Sequence, residues 1–333
     1  MSSKTKTLYP LLFEPVLKEY IWGGRNLETT LGRTLPNEGV VAESWEIAAH
    51  EDGASIVVNG AFAGQSLIAV SRNLGIDLVG RRNAWALERG KFPLLVKLLD
   101  AHDKLSVQVH PDDKYALAHE GNELGKTEMW IVLQAMPDAE IILGVRQGTT
   151  PDLFRDAVAD STVERYLHRL KVKAGDFVCV PSGTLHAILG GVLIAEIQQN
   201  SNTTYRVYDW NRSSNGRARP LHLAKALDVI NFNVVEPQLP VPELIEATPQ
   251  RQRSLLCANQ YFTTERVVLG QGGEFGGDLN GDTLEIWGVI DGEIDVNETH
   301  LEAVRFTLLP AAMGWFRVTT RTGATCLRTR VAE

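Results

Sequence analysis

The chain has 333 residues, 44% of them hydrophobic and 22% charged, which is enough to bury a sizeable core in one large or two ordinary globular domains. A formal net charge of −8, with no run of Lys or Arg, argues against nucleic acid or an anionic membrane as partner. No stretch approaches the length of an apolar membrane span. Cys179, Cys257 and Cys326 are few, scattered and outside C-x-x-C spacing, so neither a disulfide framework nor a thiolate zinc site is expected, and a cytoplasmic location fits.

Short apolar runs separated by Gly, Pro, Asn and Asp predict strands at residues 54–58, 92–99, 105–109, 129–134, 141–145, 177–180 and 193–198. The fold class is therefore mainly β, a barrel or sandwich with short helical insertions. Leu67, Val70, Leu74, Leu78 and Val79 recur with charges between them and predict one or two helices over 66–89. Shorter amphipathic helices are expected at 112–120, 151–159 and 221–230, with Pro151 suited to a first turn. Residues 1–235 then form one domain, with helical insertions near 66–90 and 151–159. The Pro- and Glu-rich stretch 236–248 reads as a linker. After it come a strand over 261–268, a Gly-rich turn at 270–277, a strand over 283–290, a hairpin turn at Asp291-Gly292 and further strands. They predict a smaller β-domain over 249–333, whose one histidine, His300, has no ligand-like company.

Four residues point to chemistry. Gln108 and His110 are two apart, so on a strand both face the same side. Glu128 opens the next apolar run, EMWIVL. His186 follows the predicted strand 177–180 and a tight Pro181-Ser182-Gly183 turn. Two imidazoles, one carboxylate and one amide oxygen make a shell for zinc or a similar divalent ion. A single carboxylate leaves the site near +1, so the metal stays electrophilic. A lone strand histidine is more often structural; the joint pattern carries the signal. Lys97 is unusual inside the apolar FPLLVKLLD, although an outward strand position would explain it. Lys126 shares the face of Glu128 if the strand already extends there, and Ser106 that of Gln108. Trp22, Trp45 and Trp130 read as core before they read as sugar-stacking groups. Glu43 and Glu46, three apart, face opposite sides of a strand and are not a glycosidase pair.

Gly175-x5-Pro181-x-Gly183-x2-His186 resembles the second metal motif of the cupin superfamily, with Gly190 where that motif usually closes on Asn. Q-x-H followed by Glu128 resembles the first motif as it stands in type I mannose-6-phosphate isomerases, especially the short bacterial form. Blocks YIWGGR at 20–25, ESWEI at 43–47, FPLLVKLLDA at 92–101 and NSNTTYRVYD at 200–209 follow that family's order. The resemblance implies two cupin-like β-barrel or jelly-roll domains. It implies one Zn2+, or another divalent metal, per chain on Gln108, His110, Glu128 and His186. The implied reaction interconverts mannose 6-phosphate and fructose 6-phosphate through an enediol(ate). A sugar phosphate is then the substrate, and the chain a monomer or homodimer. Arg206, which alone would read as a surface ion-pair residue, takes a catalytic or phosphate-handling role. The dianionic phosphate calls for local cations, Lys97 and Lys126, with Ser106 as a hydrogen-bond donor. Asn202 stands where the family's block usually carries Asp, so no carboxylate base is expected there. The base is then Lys126 or Lys97, its pKa lowered by like charge, or a water on the metal. Competing readings are a metal-dependent cupin oxygenase and a non-catalytic sugar-phosphate sensor. Gln108 in place of His argues against the first, and intact Lys126 and Arg206 against the second.

Overall fold

The computed structural model describes residues 7–214 and 217–331. The fold is mainly β. In chain order the longer strands of the first part are β1 (Val16–Lys18), β2 (Glu43–Ile47), β3 (Leu94–Ala101), β4 (Val107–Val109), β5 (Glu128–Ala135), β6 (Glu140–Val145), β7 (Leu167–Lys171), β8 (Phe177–Val180), β9 (His186–Ile188), β10 (Val192–Gln199) and β11 (Tyr205–Tyr208). They form a six-stranded sheet, β8-β5-β10-β3-β2-β1, and a five-stranded sheet, β7-β6-β9-β4-β11. Leu99, Trp130, Val178 and Ile194 of the first pack with Ile141, Leu143 and Ile188 of the second, so the core lies between two facing sheets. The other side of the five-stranded sheet is covered by Pro151–Ala159 and Leu223–Val229, whose Phe154, Ala157 and Ala226 pack on Val107, Val109 and Val207.

By Cα proximity, Leu17–Ser44 with Val96–Pro240 make one compact unit, and Trp45–Leu95 join the residues up to Val16 and those from Val241 in another. The expected helical stretch 66–90 is realised as Leu67–Leu74, Ile76–Val79 and Ala84–Glu88, broken at Gly75 and Gly80, and belongs to this second unit. Its later strands are β12 (Glu243–Ala247), β13 (Arg251–Ala258), β14 (Phe262–Leu269), β15 (Glu274–Leu279), β16 (Glu285–Gly292), β17 (Ile294–Val296), β18 (Thr299–Leu301), β19 (Phe306–Leu309), β20 (Gly314–Thr319) and β21 (Ala324–Val331). β12 lies in the stretch read as linker, because ELIEA has no strand alternation and follows a run of prolines. β15 begins inside the expected Gly-rich turn, and Asp291-Gly292 leads from one sheet to the other instead of closing a hairpin. Cys326 is a buried free thiol.

The sheets of the second unit run β19-β16-β21-β14-β13-β12 and β18-β17-β20-β15. Taken in chain order, β12 to β21 repeat the arrangement of β1 to β10 strand for strand, and β11 has no counterpart. The side chains diverge at matching registers. Glu128 and Trp130 of β5 stand opposite Gln198 and Glu196 of β10. Glu285 and Trp287 of β16 stand opposite Arg330 and Arg328 of β21. Arg328 grips Glu285 through Nε, at 2.8 Å, and through Nη2, and its guanidinium lies 4.7 Å from the centroid of Phe275. Where the first unit places a carboxylate beside its E-x-W acid, the second places a cation.

One turn aims the last metal-motif residue. Gly183 has φ 83°, and a Cβ there would meet the Val229 carbonyl at 2.9 Å. Its N–H donates to the His110 carbonyl at 2.8 Å, tying the turn before His186 to the other histidine. Gly183→Ala should therefore cost about 1–3 kcal/mol of stability from backbone strain. Urea unfolding midpoints of the two proteins check this, and an unchanged midpoint would show that the turn accommodates a side chain.

Candidate active site

Neighbouring strands bring the metal-motif residues together. His186 of β9 pairs with Gln108 of β4, and Gln108 pairs on its other side with Arg206 of β11. His110 follows directly on β4, and Glu128 opens β5 in the facing sheet. His110, Glu128 and His186 are each about 1% exposed, and their ligand-type atoms all lie within 4.8 Å of one another. His186 Nε2 is 3.2 Å from Glu128 Oε1, and His110 Nε2 is 3.6 Å from Glu128 Oε2. A tetrahedral shell with bonds near 2.1 Å has edges of about 3.4 Å, so this spacing suits one small ion.

The hydrogen bonds fix which nitrogens face inward. His110 Nδ1 is 2.8 Å from the Thr203 carbonyl and His186 Nδ1 is 2.9 Å from the Thr184 carbonyl, so each Nδ1 carries the proton. Both Nε2 atoms are left as lone pairs. His110 Nε2 and Glu128 Oε1 are buried without a hydrogen bond, an arrangement that makes sense if an ion satisfies them, while Glu128 Oε2 faces the Lys126 ammonium. Burial lowers the pKa of His110 well below its ordinary value and that of His186 to about 4, with the Lys126 charge adding to both. Both rings are thus in the neutral form a metal requires. Gln108 accepts from Ser106 Oγ at 3.3 Å, and its Nε2 lies 3.4 Å from His186 Nε2. A half-turn of the amide, which leaves its shape unchanged, puts the oxygen on the ligand side.

Below the ligands lies a buried charge cluster. Lys126 Nζ is 2.9 Å from Glu128 Oε2 and 4.0 Å from Glu196 Oε1. Lys97 Nζ is 3.4 Å from Glu43 Oε2 and 3.7 Å from Glu196 Oε1. Lys97 is 2% exposed, so the outward-facing explanation of that residue is set aside. Lys126 precedes β5, yet its ammonium group reaches the same side as Glu128. Burial pulls its pKa down, but Glu128 and Glu196 outweigh this and hold it above the ordinary value. The expectation of a lowered lysine pKa is corrected by these carboxylates. Burial, then Glu128, push the Glu196 carboxyl up to about 6. Trp130 Nε1 donates to Glu196 Oε2 at 3.0 Å, while Oε1 has no hydrogen bond.

These groups line a cavity of about 280 Å³ together with Tyr20, Trp22, Asn202 and Arg219. Arg206 donates from Nε to Ser106 Oγ at 3.1 Å and from Nη1 to the Pro220 carbonyl at 3.0 Å. Arg219 shares Asp209 with Arg212 and also borders a surface groove with Ile21 and Val40, which puts it at the mouth. Trp22 and Trp130 are buried core residues whose edges reach the cavity; Trp45 is fully buried in the other unit. Sequence reasoning overlooked Glu196 and Arg219, and weighed Glu43 only as half of a glycosidase pair. Glu196 had a usable signal, a lone carboxylate in the apolar LIAEI, of the same kind that marked Lys97. Arg219 had none, being one of several arginines in a polar run.

Residues 11–133, which include Gln108, His110 and Glu128, match the family model described as phosphomannose isomerase type I, catalytic domain. A Bacillus subtilis protein described as a probable mannose-6-phosphate isomerase, GmuF, is 45% identical over 240 residues, 72% of this chain and 73% of that one. This chain belongs to the type I mannose-6-phosphate isomerase family. A family member from Streptococcus mutans is likewise 45% identical, over 67% of this chain and 68% of its own. A crystal structure of the mannose 6-phosphate isomerase from Bacillus subtilis superposes with a TM-score of 0.84 at 34% identity, covering 96% of this chain and 99% of that one. The cupin fold expected from the metal motifs is thus the fold of the family.

The neutral histidines set a pH dependence. Unfolded histidines titrate near about 6.5, so as pH falls the unfolded chain takes up protons that His110 and His186 in the fold do not. Metal-free protein should therefore lose stability as pH falls from about 6.5 towards 4. Glu196 opposes this, because its raised pKa lets the folded state hold a proton that an unfolded glutamate releases above about 4.3. Two histidines outweigh one carboxyl. Denaturant unfolding of chelator-treated protein between pH 7 and pH 5 checks the sign; stability that rises towards pH 5 would contradict it.

Proposed function

We propose that the cavity around His110, Glu128 and His186 interconverts mannose 6-phosphate and fructose 6-phosphate by moving a proton between C1 and C2 of the open-chain sugar. Membership of the family makes the chain an isomerase of this kind, and its curated relatives carry that name. The observation that carries the site assignment is a pair of inward-facing neutral imidazoles beside a buried carboxylate, one oxygen of which has no hydrogen bond. The donor set suits zinc, one ion per chain, with Gln108 completing the shell. Bound there, the ion supplies a Lewis acid that polarises the sugar carbonyl.

The chain's own residues do the rest. Glu196, with a pKa of about 6 and one unbonded oxygen, suits the proton acceptor. Lys126, held protonated by the carboxylates around it, suits a donor at the reacting end. Arg206, joined through Ser106 to Gln108, lies where it stabilises negative charge on the enediol(ate). The charges of Lys97 and Lys126 are largely taken up by Glu43, Glu128 and Glu196. The phosphate is therefore better served by Ser106 and Arg219 towards the mouth. The oxygenase and sensor readings fall away with the family assignment. A cytoplasmic location and a monomeric or homodimeric state belong to the same proposal. Among the described residues no helix is long and apolar enough to cross a membrane.

Incubation with mannose 6-phosphate, with fructose 6-phosphate as readout, should show turnover that a chelator abolishes and zinc restores. His186→Ala should lose both metal and turnover while staying folded; a metal-free variant with full activity would sink the ligand assignment. Glu196→Gln should lower kcat by about 10²- to 10⁴-fold, the usual scale of general acid–base catalysis. Arg206→Ala should act mainly on kcat and Lys126→Ala on both kcat and KM. Steady-state kinetics of the three variants tests these roles, and near wild-type values for any one would remove its residue from the mechanism.

A further inference from the structure

We infer that His222 is a positioning residue for Arg206, an inference that rests on the cavity described above being the isomerase site. β11 is the edge of its sheet and pairs only with β4. The pairing is irregular between Arg206 and Tyr208. An edge strand turns backbone polar groups outward, and nothing in its own sheet satisfies them. At Arg206 a single residue takes up both. The Arg206 N–H donates to His222 Nδ1 at 3.2 Å, and the His222 N–H donates to the Arg206 carbonyl at 2.8 Å. His222 thus closes a two-bond ring on Arg206, as a neighbouring strand would, but one of the bonds comes from a side chain.

The same segment holds the other end of the arginine, since the Pro220 carbonyl accepts from Arg206 Nη1 at 3.0 Å. Residues 220–222 therefore fix both where the side chain starts and where its guanidinium ends, with Ser106 Oγ on the inner side. His222 is itself anchored. It leads into the helix Leu223–Val229, the Ala226 N–H returns to its carbonyl at 2.9 Å, and its ring lies 6.4 Å from that of Tyr205. Burial, with the charges of Arg206 and Lys225, lowers its pKa and favours the lone pair on Nδ1 that the Arg206 N–H needs. His222 is not among the residues lining the cavity, so its influence on turnover runs through Arg206.

The test compares His222→Phe, which keeps a ring but removes the acceptor, with His222→Asn, whose amide oxygen can replace Nδ1. The Phe variant should lose about 10- to 100-fold in kcat, the scale of a misplaced catalytic group, with KM and metal content near wild type. The Asn variant should recover most of that loss. In an Arg206→Ala background the His222→Phe change should have little further effect, because its only route has been removed. If the Phe variant does not fold, His222→Ala against His222→Asn makes the same comparison. Turnover within about twofold of wild type in the acceptor-less variant, or an equal loss in the Arg206→Ala background, would overturn the inference. Wild-type protein inactive on mannose 6-phosphate would instead overturn the isomerase reading beneath it.

Discussion

The structure around the cavity depends on one electrostatic constraint: Glu128 is a fully buried carboxylate flanked by two neutral imidazoles. A buried anion must be compensated, and the imidazoles cannot do it, because their protons are committed to backbone carbonyls. Lys126 offsets part of the charge, but it also lies close to Glu196. Glu43, Glu128 and Glu196 gather round the two ammonium groups of Lys97 and Lys126, leaving an excess of one negative charge for a divalent ion to answer. The raised pKa of Glu196 follows first from its burial and then from the same crowding, since a third buried anion is the one most easily neutralised by a proton. Metal affinity and a proton acceptor near neutrality thus share one physical origin.

Much of this was legible in the residue pattern, and the limits of legibility have causes. Gln108, His110 and His186 could be read because a strand period and a Pro-x-Gly turn constrain where their side chains go; Gly183 has the positive φ that such a turn demands. Lys97 could be read because a charge in an apolar strand is costly unless it is used. Glu196 carried the same signal but has no motif around it. Arg219 was invisible, because its place at the mouth follows from a loop path and not from any periodicity. The lysine pKa was misjudged for a related reason. Its sign depends first on Glu128, two residues on, and then on Glu196 from β10 and Glu43 from β2, which meet Lys126 only through the sheet order.

Organisation was the least legible. The contiguous division into 1–235, a linker and 249–333 assumed that a domain is a run of sequence. By Cα proximity, Trp45–Leu95 and the strands after Val241 belong to one compact unit. Helical periodicity over 66–89 marked the helices but not what they would pack against. β12 was lost in a Pro-rich stretch because ELIEA shows no strand alternation and its place comes from pairing with β13.

The repeated strand order gives the two units a telling difference. In the second, the acid that begins the E-x-W segment, Glu285, is held by Arg328 on the adjacent strand. That counter-charge is part of the polypeptide and cannot be washed out, diluted or exchanged. In the first, the corresponding acid has Lys126 beside it, but Glu196 shares that ammonium group, so part of its charge is left for an ion from solution. The first unit carries a charge pattern that a divalent ion would complete, and the second completes its own.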